Sequence, residues 1–301
     1  MNTFVHPALF YRSDQEYLAA LVPFAAEGLD AGQPVAMAVP GRRLDVVRTG
    51  LGALARHVTL LDMAVEGRNP GRIIARVLRR FADRHPDRHV RIVGEPIWAG
   101  RSADEYPACA QHEALINLAF DGRDVTILCP YDLSTLSPQA VDDALVTHPV
   151  VWEGTESYPS DDYDVPGLLS RYNEPLAAPS GHAVFEVFGT GDLAGARRFA
   201  VSHADGLDRV ADLELIVTEL ATNSLRHAGG PCRVGVWRAD GYLVCEVRDG
   251  GTLSDPLAGR RPPGRGELSG RGLLMVNDLA DLVRVHTGTS GTTFRALLRL
   301  P

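Results

Sequence analysis

Between residues 219 and 227 the sequence reads Glu-Leu-Ala-Thr-Asn-Ser-Leu-Arg-His. On an α-helix, at about 100° per residue, Asn223 lies about 40° and His227 about 80° round from Glu219, so the three share one face. A carboxylate can take up a proton, and a carboxamide oxygen is a hard ligand for Mg²⁺. The stripe therefore suits a divalent cation beside an attacking group. It also suits a solvated helix face. Leu213, Ile216, Val217 and Leu220 supply the other side of the same helix for a core.

Three later segments add to it. Val247-Arg248-Asp249-Gly250-Gly251 ends a strand with an acid that can accept a hydrogen bond from an exocyclic amine, and glycine there lets a planar ring approach. A plain turn would read the same. In Ser269-Gly270-Arg271-Gly272-Leu273, glycines open a helix whose free amides and dipole favour an anion. Ser290-Gly291-Thr292-Thr293 precedes the last strand, where a hairpin turn is the simpler account. Each segment alone says little; their order and separations carry the weight.

The elements that must position these residues are two helices, Ala194–Ala204 and Leu207–Ala228, and a strand, Ala183–Phe188. A hairpin follows, Arg233–Arg238 with Leu243–Arg248 around an Asp240-Gly241 turn. After a Gly/Pro/Arg-rich loop over 250–267 come a helix near Leu273–Leu279 and strands at Leu282–His286 and Thr292–Leu300. Helices on one face of a largely antiparallel sheet make an α/β sandwich. The first 150 residues alternate differently. Short β-branched runs at Pro34–Pro40, His57–Asp62, His89–Gly94 and Val125–Pro130 read as buried strands. Helical patterns at Gln15–Ala31, Arg42–Leu54, Gly71–Arg84 and Ser102–Phe120 separate them, which predicts a parallel sheet covered on both faces. Residues 153–180 are acidic and Pro-rich and read as a linker, although Tyr163, Leu168, Leu169 and Tyr172 offer points of attachment. The expected division is 1–152, 153–180 and 181–301.

Composition narrows the chemistry. With 301 residues, 45% apolar and 23% charged, the chain has the make-up of a globular protein too long for one core. All 30 basic residues are arginine. The absence of lysine excludes a Walker A loop, the strand lysine of eukaryotic-type protein kinases, and Schiff-base chemistry. Cys109, Cys129, Cys232 and Cys245 show no CxxC spacing and read as buried thiols. No basic stripe suggests direct nucleic-acid binding, and net charge is −8. With no signal segment and no apolar run of spanning length, the sequence predicts a cytoplasmic protein that does not enter a membrane.

On these motifs, residues 181–301 resemble the Bergerat (GHKL) ATP-binding fold, and within it the anti-sigma-factor serine kinases. Glu219, Asn223 and His227 match the family's N-box. Asp249 with Gly251, Gly270 with Gly272 and Leu273, and Gly291 with Thr292 match its three glycine boxes. The resemblance implies that Asn223 holds Mg²⁺ on ATP, Asp249 reads adenine, Glu219 is the general base, and residues 251–272 form a lid. That lid's Arg260, Arg261, Arg265 and Arg271 would neutralise phosphate without lysine. A sensor histidine kinase would need a helical hairpin with a phospho-accepting His before this domain; His182 stands in no such setting.

The first 150 residues resemble the MEDS sensory domain, a RecA-like α/β fold without a phosphate loop. The likeness rests on the segments HPALFYRSDQEYLAALVPFAAEGLDAGQPVAMAVP, GEPIWAGRSADEYPACAQHEALIN and CPYD. His6, Tyr11, Glu95, Trp98, Tyr131 and Asp132 fall at element ends, where open α/β sheets bind ligands. They read either as a small-molecule pocket or as satisfied buried polar groups. His6, Glu95 and Cys129 are a possible metal set, whereas His112-Glu113 reads as a pair on a helix face. The resemblances together imply a regulator whose sensor answers an unidentified small molecule. Its partners would be a STAS-type anti-anti-sigma protein, phosphorylated on Ser or Thr, and a sigma factor, with a homodimer possible. The alternatives are a non-catalytic ATP-binding module and a sensor that sequesters its partner.

Overall fold

The computed structural model describes residues 4–262 and 270–301, and the chain divides into two units between Tyr172 and Asn173. The first unit is built on eight strands: β1 (Phe4–Val5), β2 (Pro7–Tyr11), β3 (Val35–Val39), β4 (Thr59–Asp62), β5 (Val90–Gly94), β6 (Val125–Asp132), β7 (Val150–Glu153) and β8 (Glu156–Pro159). Their order is β4-β3-β5-β6-β2-β7-β8, with β1 also on β6. Every pairing is parallel except β7 with β8. The four strands expected from apolar runs are β3 to β6. The segment His6–Tyr11, expected only as an element end, supplies a central strand, and β2 is buried along its whole length.

Parallel strands bury both faces, and here the faces differ. Leu9, Tyr11, Met37, Val93 and Leu128 form one core with Tyr17, Leu21 and Phe24 of α1 (Asp14–Asp30) and Val47 and Leu51 of α2 (Gly41–Leu51). Ser13 caps α1 by accepting from the Glu16 amide, which fixes the turn out of β2. The other face carries α3 (Tyr106–Ala119) and α4 (Pro138–Thr147).

The expected linker is a correction. Residues 156–159 pair with β7, and α5 (Val165–Arg171) buries Val165 and Leu168 against Ala110 and Ala114 of α3. The buried Asp143 carboxylate accepts from Tyr106 and Arg171, each at 2.6 Å, and from the Tyr172 hydroxyl. Beyond the boundary, Asn173 exchanges two hydrogen bonds with Thr287, and Arg295 donates to the Ala177 carbonyl. Leu168, Leu169 and Tyr172, three of the expected points of attachment, hold the segment together with Val165 and Asp143. Replacing Tyr172 with Phe should destabilise the first unit by about 1.5–3 kcal/mol, the scale of one hydrogen bond to a charged group. Urea unfolding of the full chain measures this, and an unmoved midpoint would refute the anchoring role.

The second unit is a five-stranded sheet, β9 (Ala183–Val187), β10 (Cys232–Ala239), β11 (Tyr242–Asp249), β12 (Leu282–Gly288) and β13 (Gly291–Arg299). Its order is β12-β13-β11-β10-β9, antiparallel throughout. The helices α6 (Leu193–Val201), α7 (Val210–His227) and α8 (Arg271–Leu279) share its core: Leu213, Ile216, Val217 and Leu220 meet Val234, Val236, Cys245 and Val247. This is the expected α/β sandwich. No helix among the described residues is long and apolar enough to cross a membrane.

Candidate functional site

The apolar side of α7 faces the sheet, which leaves Glu219 and Asn223 on its partly exposed flank. The start of α8 comes against them. A Cβ on Gly272 would stand 2.3 Å from Glu219 Oε2 and 3.3 Å from Asn223 Nδ2, so a larger residue there would push the Glu219 carboxylate aside. Asn223 Nδ2 is buried and has no hydrogen-bond partner among the described residues. An amide held with an unspent donor is costly, and its retention here points to a ligand group.

One residue further along α7, Ser224 donates to Asp249 Oδ2 at 2.5 Å, and the Gly251 amide donates to Oδ1 at 2.8 Å. Two of the carboxylate's roughly four acceptor positions are thus used, and the rest can take an amine from a ligand. Asp249 is paired in register with Thr292 of β13, whose hydroxyl donates to the Gly251 carbonyl at 2.9 Å. Thr287 lies 2.9 Å from the Thr292 hydroxyl and accepts from the Leu253 amide, so the chain leaving Asp249 is tied to the β12–β13 end. Gly291 has φ 114°, and a Cβ there would sit 1.9 Å from the Asp249 carbonyl oxygen.

The structure thus brings together Glu219, Asn223 and Gly272, and separately Asp249, Gly251, Gly291 and Thr292, with Ser224 joining the sets. His227 ends α7 and is exposed. Gly270, Arg271 and Leu273 lie at the opening of α8, where Arg271 is exposed. Of the other expected lid arginines, Arg260 is buried, Arg261 pairs with Asp255 at 3.1 Å, and Arg265 lies outside the described residues. Burial makes Arg260 part of the loop's packing. Asn277 holds the loop to α8 by donating to the Gly259 carbonyl at 2.9 Å. Ser224, Thr287 and Asn277 were missed from sequence. Ser224 carried the one available signal, since it follows Asn223 on the buried edge of the helix.

In the first unit the six expected pocket residues split across the sheet. Glu95, just past β5, accepts from Tyr17 at 2.8 Å and Tyr11 at 3.4 Å, with the Arg43 guanidinium 3.6 Å away. Arg43 stacks 4.9 Å from both tyrosine rings and donates to Asp132 at 2.7 Å. Burial pushes Glu95 up to about 7, against the opposing pull of the Tyr17 hydrogen bond and Arg43. This cluster lies beyond the carboxyl ends of β2, β5 and β6, as expected for a ligand edge. Trp98 instead stacks under Arg101 at 3.9 Å. His6, Cys129 and Tyr131 face the opposite side. There His6 and Cys129 meet Glu113 and His148, and Tyr131 lies edge-on to His148 at 5.5 Å. Two expectations are thereby corrected. Glu95 does not join His6 and Cys129, because it follows the strand face that carries Val93. His112 and Glu113 are both buried, because α3 packs onto the sheet through them.

These arrangements belong to two α/β units, one on a mostly parallel sheet and one on an antiparallel sheet covered by helices. The family model described as MEDS, the methanogen/methylotroph, DcmR sensory domain, matches residues 5–149. That of the histidine kinase-like ATPase domain matches residues 190–297. The chain therefore carries a MEDS domain followed by a histidine kinase-like ATPase domain. No curated protein matches it.

Proposed function

We propose that the C-terminal domain binds Mg²⁺·ATP and transfers its γ-phosphoryl group to a Ser or Thr hydroxyl of a partner protein, as the anti-sigma-factor kinases do. The partners would be a STAS-type anti-anti-sigma protein and a sigma factor, and the MEDS domain would set the balance between them. The observation that carries this reading is Asn223, whose buried Nδ2 has no partner among the described residues beside Glu219 and Gly272, a donor that can meet a phosphate oxygen while the amide oxygen is left for the cation. Asn223 would hold the cation and Asp249 the adenine amine. Gly291 and Thr292 would keep the base pocket in shape, and the amides opening α8 around Gly270, Arg271, Gly272 and Leu273 would meet phosphate.

In the transfer, the hydroxyl oxygen bonds to phosphorus as the bond to the ADP oxygen breaks, and the hydroxyl proton passes to the Glu219 carboxylate. Mg²⁺ supplies charge neutralisation at the phosphates when bound. Direct transfer is also supported by the approach to β9. His182 there is edge-on to Trp237 at 5.0 Å, with Nδ1 against the Pro179 carbonyl, and no helical hairpin precedes it among the described residues. Asn223→Ala should weaken Mg²⁺·ATP binding by about tenfold or more, or 1.4 kcal/mol, measured by titration calorimetry. Unchanged affinity would remove Asn223 from the site. Labelled-phosphate transfer to a STAS protein tests the activity, and tight nucleotide binding without transfer would leave a non-catalytic module.

A further inference from the structure

Four side chains on the α3/α4 face of the MEDS domain converge although they are far apart in sequence. His6 lies between β1 and β2, Glu113 on α3, Cys129 on β6 and His148 just after α4. Each is no more than 1% exposed. One nitrogen, oxygen or sulfur atom from each lies within 4.8 Å of all the others. The closest approaches are His148 Nε2 to Glu113 Oε2 at 3.3 Å, Cys129 Sγ to His6 Nε2 at 3.4 Å, and His6 Nε2 to Glu113 Oε2 at 3.5 Å. A tetrahedral zinc ion with bonds of about 2.0–2.3 Å has ligand-to-ligand edges of about 3.3–3.8 Å.

The hydrogen bonds behind these atoms fix which way they face. His6 Nδ1 lies 3.1 Å from Asn117 Oδ1. Asn117 spends its Nδ2 on the Thr147 carbonyl at 2.9 Å, so its oxygen faces the ring and Nδ1 must carry the proton. His148 Nδ1 faces the Ala144 carbonyl at 2.9 Å, which likewise requires a donor. In the neutral rings both Nε2 atoms therefore present lone pairs to the Glu113 carboxylate. Neither Glu113 oxygen has a hydrogen-bond donor, and His148 Nε2 has no hydrogen-bond partner, among the described residues. Two imidazoles tethered through Nδ1 to a side-chain oxygen and a backbone carbonyl, with Nε2 turned inward, form the outer shell by which proteins orient metal-binding histidines. Charge agrees as well. A carboxylate and a thiolate together neutralise one divalent cation, whereas the same carboxylate buried alone is heavily penalised.

We infer that His6, Glu113, Cys129 and His148 form a closed four-ligand site for a zinc-class divalent cation inside the sensory domain. The imidazole and thiolate donors favour zinc over magnesium or calcium. Four protein ligands leave no open position, so the ion stabilises the sheet and α3 and does not carry out a reaction. Binding displaces the Cys129 thiol proton and leaves both histidines neutral. The site is independent of the kinase reading.

The test uses the full chain, refolded under reducing conditions with Zn²⁺ or with Co²⁺ as a coloured probe. The expected result is one equivalent of zinc by elemental analysis. With cobalt, intense visible bands of a tetrahedral ion and a near-ultraviolet thiolate-to-cobalt band should appear. Cys245→Ser, in the other domain, should keep all of these. Cys129→Ser should lose the near-ultraviolet band, and Glu113→Gln and His148→Asn should each weaken zinc retention against a chelator by tenfold or more. Zinc below a tenth of an equivalent in the refolded wild-type chain would overturn the site. So would a cobalt spectrum without the thiolate band. If Cys129→Ser fails to fold, the wild-type cobalt spectrum decides alone.

Discussion

Glu219→Gln is expected to leave Mg²⁺·ATP affinity within about twofold and to slow phosphoryl transfer by about 10²–10⁴-fold, the range for loss of a positioned general base. The substitution keeps the side chain's size, so the close approach of Gly272 survives and the α7–α8 contact is not rebuilt. In the proposed transfer, what it removes is the place for the hydroxyl proton. Asn223, one helical turn on, is untouched, which separates binding from chemistry on a single helix face. Single-turnover transfer of labelled phosphate to the partner, beside calorimetry with nucleotide, measures both quantities. Transfer within tenfold of wild type would show that proton removal needs no carboxylate here, and Glu219 would lose its role. Equal loss of binding and transfer would instead make it a nucleotide-positioning residue.

The reason this site could be approached from sequence is that its recognition is largely local. Glu219 and Asn223 are linked by helical periodicity, and Asp249 and Gly251 by two positions at a strand end. The closing contacts are not local. Ser224 reaches Asp249 across 25 residues, and Thr292 reaches the Gly251 carbonyl across 41. No spacing rule announces these, because they depend on which strand lies next to which.

The MEDS domain shows the same limit more sharply. Apolar runs marked β3 to β6 because both faces of a parallel sheet are buried. The side each polar residue takes is set by register. Val93 pairs with Leu128 and Ala8 with Cys129, so Glu95 follows the face of Leu128 while Cys129 and Tyr131 take the other. With that register in hand, alternation sends Tyr11, Glu95 and Asp132 of the expected pocket to the side of Tyr17 and Arg43, and His6 and Tyr131 to the side of Glu113, Cys129 and His148. Without it, six residues at element ends look like one site. The misread linker has a related cause. Composition reports average polarity, but α5 is held by Val165, Leu168 and the partners of Asp143, a few groups in fixed places.

Glu95→Gln should flatten part of the pH dependence of MEDS-domain stability between about pH 4.5 and 7. The ordinary carboxyl value of 4.5 rises to about 7 in the fold because burial penalises the charged form. The folded state therefore holds a proton that the unfolded chain has released across this window. Glu95's contribution is fully present below pH 4.5 and is lost as pH rises through 7. At 1.36 kcal/mol per pKa unit, the loss approaches about 3 kcal/mol. A glutamine keeps an acceptor for Tyr17 and Tyr11 but cannot ionise, and Arg43 retains Asp132 and Asp14. Relative to wild type, the variant should therefore gain about 3 kcal/mol between pH 4 and pH 8. The quantity to measure is the difference between the two proteins' unfolding free energies at each pH. Groups that titrate alike in both then cancel. Parallel curves through this window would mean that Glu95 is already ionised at low pH, with Arg43 outweighing burial. A gain of the expected size would make Glu95 a carboxyl poised near neutrality at the carboxyl-end edge of the sheet.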